Sequence, residues 1–259
     1  MKTYIITRFS ILDYDHKQYR LTRNEKNFHQ YKEKLFSKER MEEKFNTFEK
    51  ITLPSVINQT NQNYLWEIYA SEYMSNEYKN RLLNITKNYH NIKVYFIKSF
   101  KEFNKTKITC HQYCTLRLDD DDALNPTFIE KLQKYKNQNN SIISFPRGQK
   151  ITIKNNEIIY GDKTNIKKIA IGLCGIGMNI YNCGDHTKVD QKYNIIYDNT
   201  PNMYLIYCSK NTDTSREFTN NIEEFTNNTN FCINSHEYVL TSFFLTLSLY
   251  FVIKLYVKK

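Results

Sequence analysis

Short apolar runs alternate with longer amphipathic segments through about the first 150 residues of this chain. Strand-like runs occupy five places: 3–7, 65–69, 92–97, 113–118 and 141–145. Between them, apolar side chains recur at helical spacing in three groups: Phe28, Tyr31 and Leu35; Met41, Phe45 and Phe48; Tyr78, Leu82 and Ile85. Strands that alternate with helices are typical of α/β proteins. We therefore predict an α/β fold with a mostly parallel sheet flanked by helices.

The pattern changes beyond residue 150. Residues 151–154 and 157–160 predict a β-hairpin that turns at Asn155-Asn156, and residues 203–208 predict one more strand. An Asn/Thr-rich segment follows, after which residues 238–253 carry no charge. Continued to Val257, this last stretch has about 20 residues, the length of a helix that crosses a bilayer. A helix packed on the main domain is the alternative. The predicted division is a main domain (1–210), a polar linker (211–237) and a hydrophobic helix (238–257).

Four consecutive aspartates, Asp119 to Asp122, follow the apolar strand predicted at 113–118. Asn125 and Pro126 come next, and we predict that Asn125 caps a helix that begins at Pro126. Crowded carboxylates at the carboxyl end of a strand repel one another, and a divalent cation would relieve that repulsion. An acidic turn that only caps the helix is the alternative, and an EF-hand is excluded because its central glycine and distant glutamate are missing. The pattern favours a Mg²⁺ or Mn²⁺ site.

The charge balance adds little to this picture. The formal net charge is +10, but the basic residues are spread along the chain without a compact stripe or a nucleic-acid-binding motif. We therefore predict no nucleic-acid partner. Six cysteines in 259 residues predict buried thiols, and Cys110-His111 with Cys114 lacks the second pair that a zinc finger needs. No secretory signal is recognisable, so we predict a cytoplasmic protein that contacts membranes only through residues 238–257.

Several short motifs occur in a fixed order over about the first 150 residues. They are Thr7-Arg8-Phe9-Ser10, Arg40-Met41-Glu42-Glu43-Lys44-Phe45, Phe48-Glu49, Leu53-Pro54-Ser55-Val56 through Gln59-Thr60, Trp66, and Arg117-Leu118 with the aspartates and Ala123-Leu124. In order and spacing this set resembles the GT-A-type glycosyltransferases, in particular the rhamnosyltransferase family. The resemblance implies a GT-A-like catalytic domain over 1–210. It also implies transfer of a sugar, with rhamnose as the family's label, from a nucleotide-sugar donor to a glycan or other hydroxyl acceptor.

The resemblance further implies roles for single residues. The family's D-x-D motif maps onto Asp119 and Asp121, which with Asp122 would hold Mn²⁺ or Mg²⁺. Such a cation would neutralise the negative charge that builds on the departing nucleoside diphosphate. The residues implied on the donor are Thr7, Arg8, Glu72 and Asp120. For Arg117 we expect a structural ion pair with the acidic loop.

One departure from the family concerns the catalytic base. No histidine follows the strand predicted at 203–208, where such enzymes place one near the metal. Asp185-His186 is the best remaining acid–base pair, against the alternative of a structural or surface histidine. Two other functions stay open: a metal-dependent nucleotidyl or phosphoryl transferase, because clustered carboxylates also hold metals for that chemistry, and a catalytically decayed, membrane-tethered sugar- or nucleotide-binding protein.

Overall fold

A computed structural model describes residues 1–12, 24, 27–102, 112–209 and 231. The predicted linker, apart from Phe231, and the predicted hydrophobic helix 238–257 lie outside these residues, as do Cys110 and His111. Those assignments therefore stay predictions. Within the described ranges, no helix has both the length and the apolar character to span a bilayer.

Eleven strands of the described chain form two sheets. The strands are β1 (Lys2–Phe9), β2 (Tyr64–Ser71), β3 (Ile92–Ile97), β4 (Tyr113–Arg117), β5 (Ala123–Leu124), β6 (Ser141–Ser144), β7 (Arg147–Lys154), β8 (Glu157–Asn165), β9 (Cys174–Ile176), β10 (Asn194–Tyr197) and β11 (Tyr204–Tyr207). The large sheet has the order β10-β6-β9-β4-β1-β2-β3, in which β9 is antiparallel to both neighbours and the other pairs are parallel. The predicted mixed α/β class with a mostly parallel central sheet is confirmed.

Five α-helices accompany the sheets in the described part of the chain. They are α1 (Phe28–Leu35), α2 (Lys38–Thr47), α3 (Leu53–Ile57), α4 (Asn76–Thr86) and α5 (Phe128–Leu132). A turn of π-helix, Phe48–Thr52, joins α2 to α3 so that residues 38–57 form one uninterrupted helical run. The first apolar group recognised in the sequence lies on α1, and the second lies on α2 and its π-helical continuation.

Aromatic side chains fasten this helical run to the large sheet. Phe45 and Phe48 are fully buried against Phe9 of β1 and Trp66 of β2. The Phe48 ring lies 5.4 Å from the Phe9 ring, edge to face, and 5.6 Å from the Trp66 ring. Full burial of each such side chain stabilises the fold by roughly 2–3 kcal/mol. The helical run is therefore held firmly against one face of the large sheet, across β1 and β2.

One sequence-based expectation after the acidic loop needs correction. Asn125 is not the N-cap of a helix that begins at Pro126, because α5 begins at Phe128 with Thr127 before it; Asn125 Oδ1 accepts hydrogen bonds from the backbone N–H and the hydroxyl of Thr127 in an Asx-turn that leads into the helix. The glycine-containing stretch near Cys174 is the short strand β9. Gly172, which leads into it, has a φ of +69°, and a Cβ there would meet the Phe128 ring at 2.5 Å. Only glycine suits that turn.

The small sheet has the order β5-β11-β7-β8 and supports the acidic loop from one side. Its β7–β8 hairpin turns at Asn155 and Asn156, whose φ values of 50° and 70° are those of a type I′ turn. The predicted hairpin is confirmed. The four described cysteines, Cys114, Cys174, Cys183 and Cys208, are buried free thiols as predicted.

Candidate active site

The acidic loop, Asp119 to Asp122, lies where the large sheet meets the small one. It leaves the carboxyl end of β4, next to parallel β1, and Leu118 N–H donates to the carbonyl of Ile6 at 3.1 Å. It then enters β5, which pairs with β11 in the small sheet. Ligands of open α/β sheets bind at the carboxyl ends of strands. The four carboxylates therefore occupy a position suited to ligand binding.

Two arginines from neighbouring strands hold Asp119. Arg8 Nη2 lies 3.4 Å from Asp119 Oδ1, and Arg117 Nη2 lies 3.3 Å from Asp119 Oδ2. Partial burial would raise the pKa of Asp119, but Arg117 and Arg8 hold that pKa well below its usual range. The expected ion pair between Arg117 and the loop is present in the structure. Asp119 therefore stays ionised at any physiological pH.

Lys44 of α2 bridges the next two aspartates. Its Nζ lies 2.5 Å from Asp120 Oδ1 and 3.5 Å from Asp121 Oδ2, and the lysine side chain is only 13% exposed. Burial alone would lower the pKa of Lys44, but Asp120 and Asp121 outweigh burial and raise it above its ordinary value. The ammonium is therefore a permanent positive charge inside the loop.

Asp122 has a different environment from the other three. Its Oδ1 accepts a hydrogen bond from the backbone N–H of Tyr207 at 3.0 Å, so it ties the acidic loop to β11. Burial, and then the charges of Asp121 and Asp119, raise the pKa of Asp122 well above its ordinary value. Asp122 is thus protonated more readily than Asp119, whose pKa the two arginines hold down.

Two observations speak against a divalent cation at this loop and one speaks for it. In the described ranges no three His, Cys, Asp or Glu side chains converge closely enough to hold a metal ion, and Arg8, Arg117 and Lys44 already offset the repulsion that suggested a metal. However, Asp120 Oδ2 is buried without a hydrogen-bond partner among the described residues. Because buried carboxylate oxygens need a partner and suit hard cations, the donor set fits Mg²⁺ or Mn²⁺ chemically.

The segment after the loop is held by the end of the helical run. Ser55 Oγ accepts from the backbone N–H of Leu124 at 3.2 Å, and Gln59 Nε2 donates to the carbonyl of Asn125 at 2.8 Å. Gln59 Oε1 accepts from the N–H of Ile129, and Thr60 N–H donates to the carbonyl of Pro126. The Pro-Ser-x-x-x-Gln-Thr motif is therefore a set of polar contacts that fixes the exit of the acidic loop.

An aromatic side chain lies between the two arginines that hold Asp119. The guanidinium carbons of Arg8 and Arg117 are each 5.6 Å from the centre of the Tyr181 ring, and Tyr181 O–H donates to the carbonyl of Ile6 at 3.2 Å. Burial raises the pKa of Tyr181 to about 12, so the hydroxyl keeps its proton. These contacts fix the orientation of both arginines beside the acidic loop.

The predicted acid–base pair lies within electrostatic reach of this cluster. His186 Nδ1 is 3.7 Å from Asp185 Oδ1, which also accepts hydrogen bonds from the N–H and hydroxyl of Thr187. Burial and then the charge of Arg117 lower the pKa of His186, against the opposing charges of Asp185 and Asp119. The imidazole is therefore neutral at pH 7, the form that accepts a proton.

The remaining predicted donor residues lie at the same edge with different exposure. Thr7 is fully buried, and its Oγ1 accepts a hydrogen bond from the Trp66 indole N–H at 2.9 Å. That contact gives the Thr7 side chain a structural partner inside the sheet. Glu72 follows the last residue of β2 and is exposed, and its backbone N–H donates to the carbonyl of Ile97.

Comparisons with known proteins identify the family of the chain. Residues 2–221 match the family described as "Putative rhamnosyl transferase". The chain belongs to this family. The family is one of glycosyltransferases, so the resemblance read from the motifs is confirmed. No curated protein matches the chain.

Solved structures of S. aureus TarS are similar to the chain over 80% of its length. TarS 1–349 has a TM-score of 0.44 and 11% identity, and the chain covers 60% of it. The same TarS fragment in complex with UDP-GlcNAc has a TM-score of 0.43 and 10% identity, with 58% covered. A longer TarS structure has a TM-score of 0.47 and 8% identity, with 37% covered. The chain thus spans less than two thirds of each of these structures.

Two members of the cluster were not predicted from the sequence. Lys44 lies within one of the motifs that carry the family resemblance, but nothing in that motif assigned it a role. Tyr181 lies in a four-residue 3₁₀ helix, Ile180–Cys183, which has no apolar periodicity. Both act through partners more than 70 residues away along the chain. Recognising them required the folded structure.

Proposed function

We propose that this chain transfers a sugar from a nucleotide-sugar donor to a hydroxyl acceptor with the help of a divalent cation bound at the acidic loop. The observation that carries the proposal is the position of Asp119 to Asp122 at the carboxyl edge of the sheet, surrounded by three basic side chains. Membership of a glycosyltransferase family supports the same reaction class. Rhamnose is the family's label, and the donor sugar is part of the proposal.

Each carboxylate has a role in this proposal. Asp119, Asp121 and Asp122 would hold Mn²⁺ or Mg²⁺, and the buried Asp120 Oδ2 offers one more oxygen close by. When bound, the cation supplies neutralisation of the charge that develops on the departing diphosphate. The guanidinium groups of Arg8 and Arg117 lie at the same edge and add positive charge toward the phosphates.

The acceptor needs a group that removes its hydroxyl proton. His186 is proposed for this role because its lowered pKa leaves the imidazole neutral at pH 7. Asp185, at 3.7 Å from Nδ1, would stabilise the imidazolium that forms. Thr187 holds the Asp185 carboxylate in place through two hydrogen bonds of 2.9 Å. The pair therefore has the electrostatic properties of a general base and its supporting carboxylate.

The test removes the two carboxylates of the D-x-D motif. In Asp119→Asn with Asp121→Asn, we expect Mn²⁺-dependent binding and turnover of a UDP-sugar or dTDP-sugar to fall by at least about a hundredfold, because the stabilisation of the leaving group is lost. Binding is measured by calorimetry and products by mass spectrometry. The circular dichroism spectrum should stay that of the wild type, because like-charge repulsion within the loop decreases.

A matched control removes two other carboxylates. Asp162→Asn with Asp190→Asn deletes the same charge from partly exposed ion pairs with Lys150 and Lys168. This control should retain full activity. Full activity in the D-x-D double variant would refute the proposal. A nucleotidylated or phosphorylated product in place of a glycoside would assign the site to the rival phosphoryl or nucleotidyl transferase class.

A further inference from the structure

The position of Lys44 has a consequence for cation binding that is separate from the transfer reaction. Its ammonium is 2.5 Å from Asp120 Oδ1 and 3.5 Å from Asp121 Oδ2, in a site where the lysine is 13% exposed and the Asp120 side chain 5%. Two carboxylates that face one ammonium at such distances have the spacing and charge that a small hard cation also requires. Lys44 thus occupies the place between them.

A second observation points to a ligand at this point. Asp120 Oδ2, the oxygen that does not face Lys44, is buried without a hydrogen-bond partner among the described residues. A buried carboxylate oxygen normally has a hydrogen-bond partner, because leaving it unsatisfied destabilises the fold. The loop therefore holds an unsatisfied acceptor beside an internal cation.

We propose that Lys44 is a built-in counter-ion of the acidic loop that competes with the divalent cation for Asp120 and Asp121. Resting on the proposed function, this inference adds a residue that sets how tightly the metal binds. Metal entry requires the ammonium to withdraw from Asp120, which the flexible four-carbon stem of lysine permits.

The anchoring of α2 makes this competition a property of the fold. Arg40, one turn before Lys44, is 6% exposed and donates to Ser10 Oγ at 3.0 Å and to the Leu35 carbonyl at 2.7 Å. Phe45, the next residue after Lys44, is fully buried. With these neighbours fixed, α2 delivers the lysine stem to the loop whether or not a metal is present.

The experiment measures binding of Mn²⁺ alone, without nucleotide, by calorimetry and by the electron paramagnetic resonance signal of free Mn²⁺. Lys44→Met keeps the length of the buried stem and removes the charge. We expect its affinity for Mn²⁺ to be at least about tenfold higher than that of the wild type, because a unit charge within 4 Å of both carboxylates is gone. Lys44→Arg should remain close to the wild type. Lys38→Met, an exposed position on the same helix, is the matched control and should not change the affinity.

Every possible result either supports or overturns the competition between Lys44 and the divalent cation. Equal or weaker Mn²⁺ binding by folded Lys44→Met overturns the inference, and so does an absence of Mn²⁺ binding in every variant. If Lys44→Met is unfolded in EDTA, recovery of the native circular dichroism spectrum on adding Mn²⁺ supports the inference, and failure to recover overturns it. A wild type that binds Mn²⁺ but transfers no sugar refutes the proposed function and leaves this inference standing.

Discussion

Asp198 and Asp120 are both buried aspartates of this chain, and they differ in how their oxygens are used. Asp198, 7% exposed, lies beside Lys134 at 2.5 Å and accepts hydrogen bonds from Tyr135 O–H and from the N–H and hydroxyl of Thr200. Asp120, 4% exposed, faces Lys44 with one oxygen and has no described partner for the other.

The two carboxylates also differ in the number of acidic residues next to them. Asp198 has no acidic sequence neighbour, whereas Asp120 has acidic neighbours on both sides. A carboxylate with every lone pair engaged contributes to the stability of the fold, whereas a crowded and incompletely satisfied one is kept at a cost in stability. The two aspartates are similarly buried, so they differ in how completely their oxygens are hydrogen-bonded and not in burial.

The largest expected effect follows from removing the satisfied carboxylate. Asp198→Ala should lower the free energy of unfolding by about 2–3 kcal/mol, because it leaves several hydrogen-bonding groups without their charged acceptor. Urea denaturation at neutral pH measures the loss. Asp190→Ala, which removes a carboxylate from the exposed pair with Lys168, is the control and should change stability little. An Asp198→Ala variant as stable as the wild type would show that the hydrogen bonds of Asp198 do not stabilise the fold.

A smaller effect, in the opposite direction, is expected inside the acidic loop. Asp122→Asn keeps an oxygen that accepts the Tyr207 N–H and removes a charge that Asp121 and Asp119 oppose. In EDTA, the free energy of unfolding should stay within about 1 kcal/mol of the wild type, on the side of greater stability. The same exchange at position 198 should destabilise. If Asp122→Asn lost as much stability as Asp198→Asn, the loop would be as structural as the Asp198 site.

The smallest expected effect is the loss, at low pH, of the stability that Asp198 provides. Hydrogen bonds and Lys134 outweigh burial and lower the pKa of Asp198 to about 2, whereas the unfolded chain has an aspartate pKa of about 3.9. Because the folded pKa is the lower one, the stabilising contribution of Asp198 is fully present above the unfolded pKa. It is lost as the pH falls through the folded pKa.

The difference in unfolding free energy between the wild type and Asp198→Asn should therefore be constant down to about pH 4 and shrink as the pH falls from about 4 to about 2. Denaturant titrations of both proteins across that range measure the difference. A difference that is independent of pH would mean that Asp198 acts only through its shape. Such a result would mean that the charge of Asp198 contributes nothing to the stability of the fold.

Local patterns in the sequence were sufficient for much of the fold and for the location of the acidic loop. The strand before Asp119 to Asp122, the β7–β8 hairpin at Asn155-Asn156 and the family were all predicted, because each leaves a signal within a few neighbouring residues. The two-residue strand β5 after the loop was not predicted. The N-cap predicted at Asn125 was wrong because Asn125 closes an Asx-turn on Thr127 and α5 begins only at Phe128. A local hydrogen bond between a side chain and the backbone is not visible in a pattern of apolar residues.

The electrostatics of the site could not be predicted in the same way. Four adjacent aspartates suggested repulsion that needs a metal, but Lys44, 76 residues before Asp120, and Arg8, 111 residues before Asp119, already offset it. β9 was missed because it is only three residues long and antiparallel between two other strands. In both cases the deciding contacts are distant in the sequence and close only in the folded chain.

The π-helical turn Phe48–Thr52 governs how this chain tolerates changes in length. Lys44, before the turn, contacts the start of the acidic loop, and Ser55, after it, contacts Leu124 at the loop's exit. Each residue of an α-helix advances the helix by about 100°. A deletion in α2 between Lys44 and Phe48 would therefore rotate Ser55 by about 100° relative to Lys44 and take it away from Leu124. A π-helical turn, with its i→i+5 hydrogen bonds, holds about one residue more than an α-helical turn, so a deletion inside Phe48–Thr52 would convert it to an α-turn and leave Ser55 near Leu124. The turn is thus the place between positions 44 and 55 where the loss of one residue is accommodated most easily.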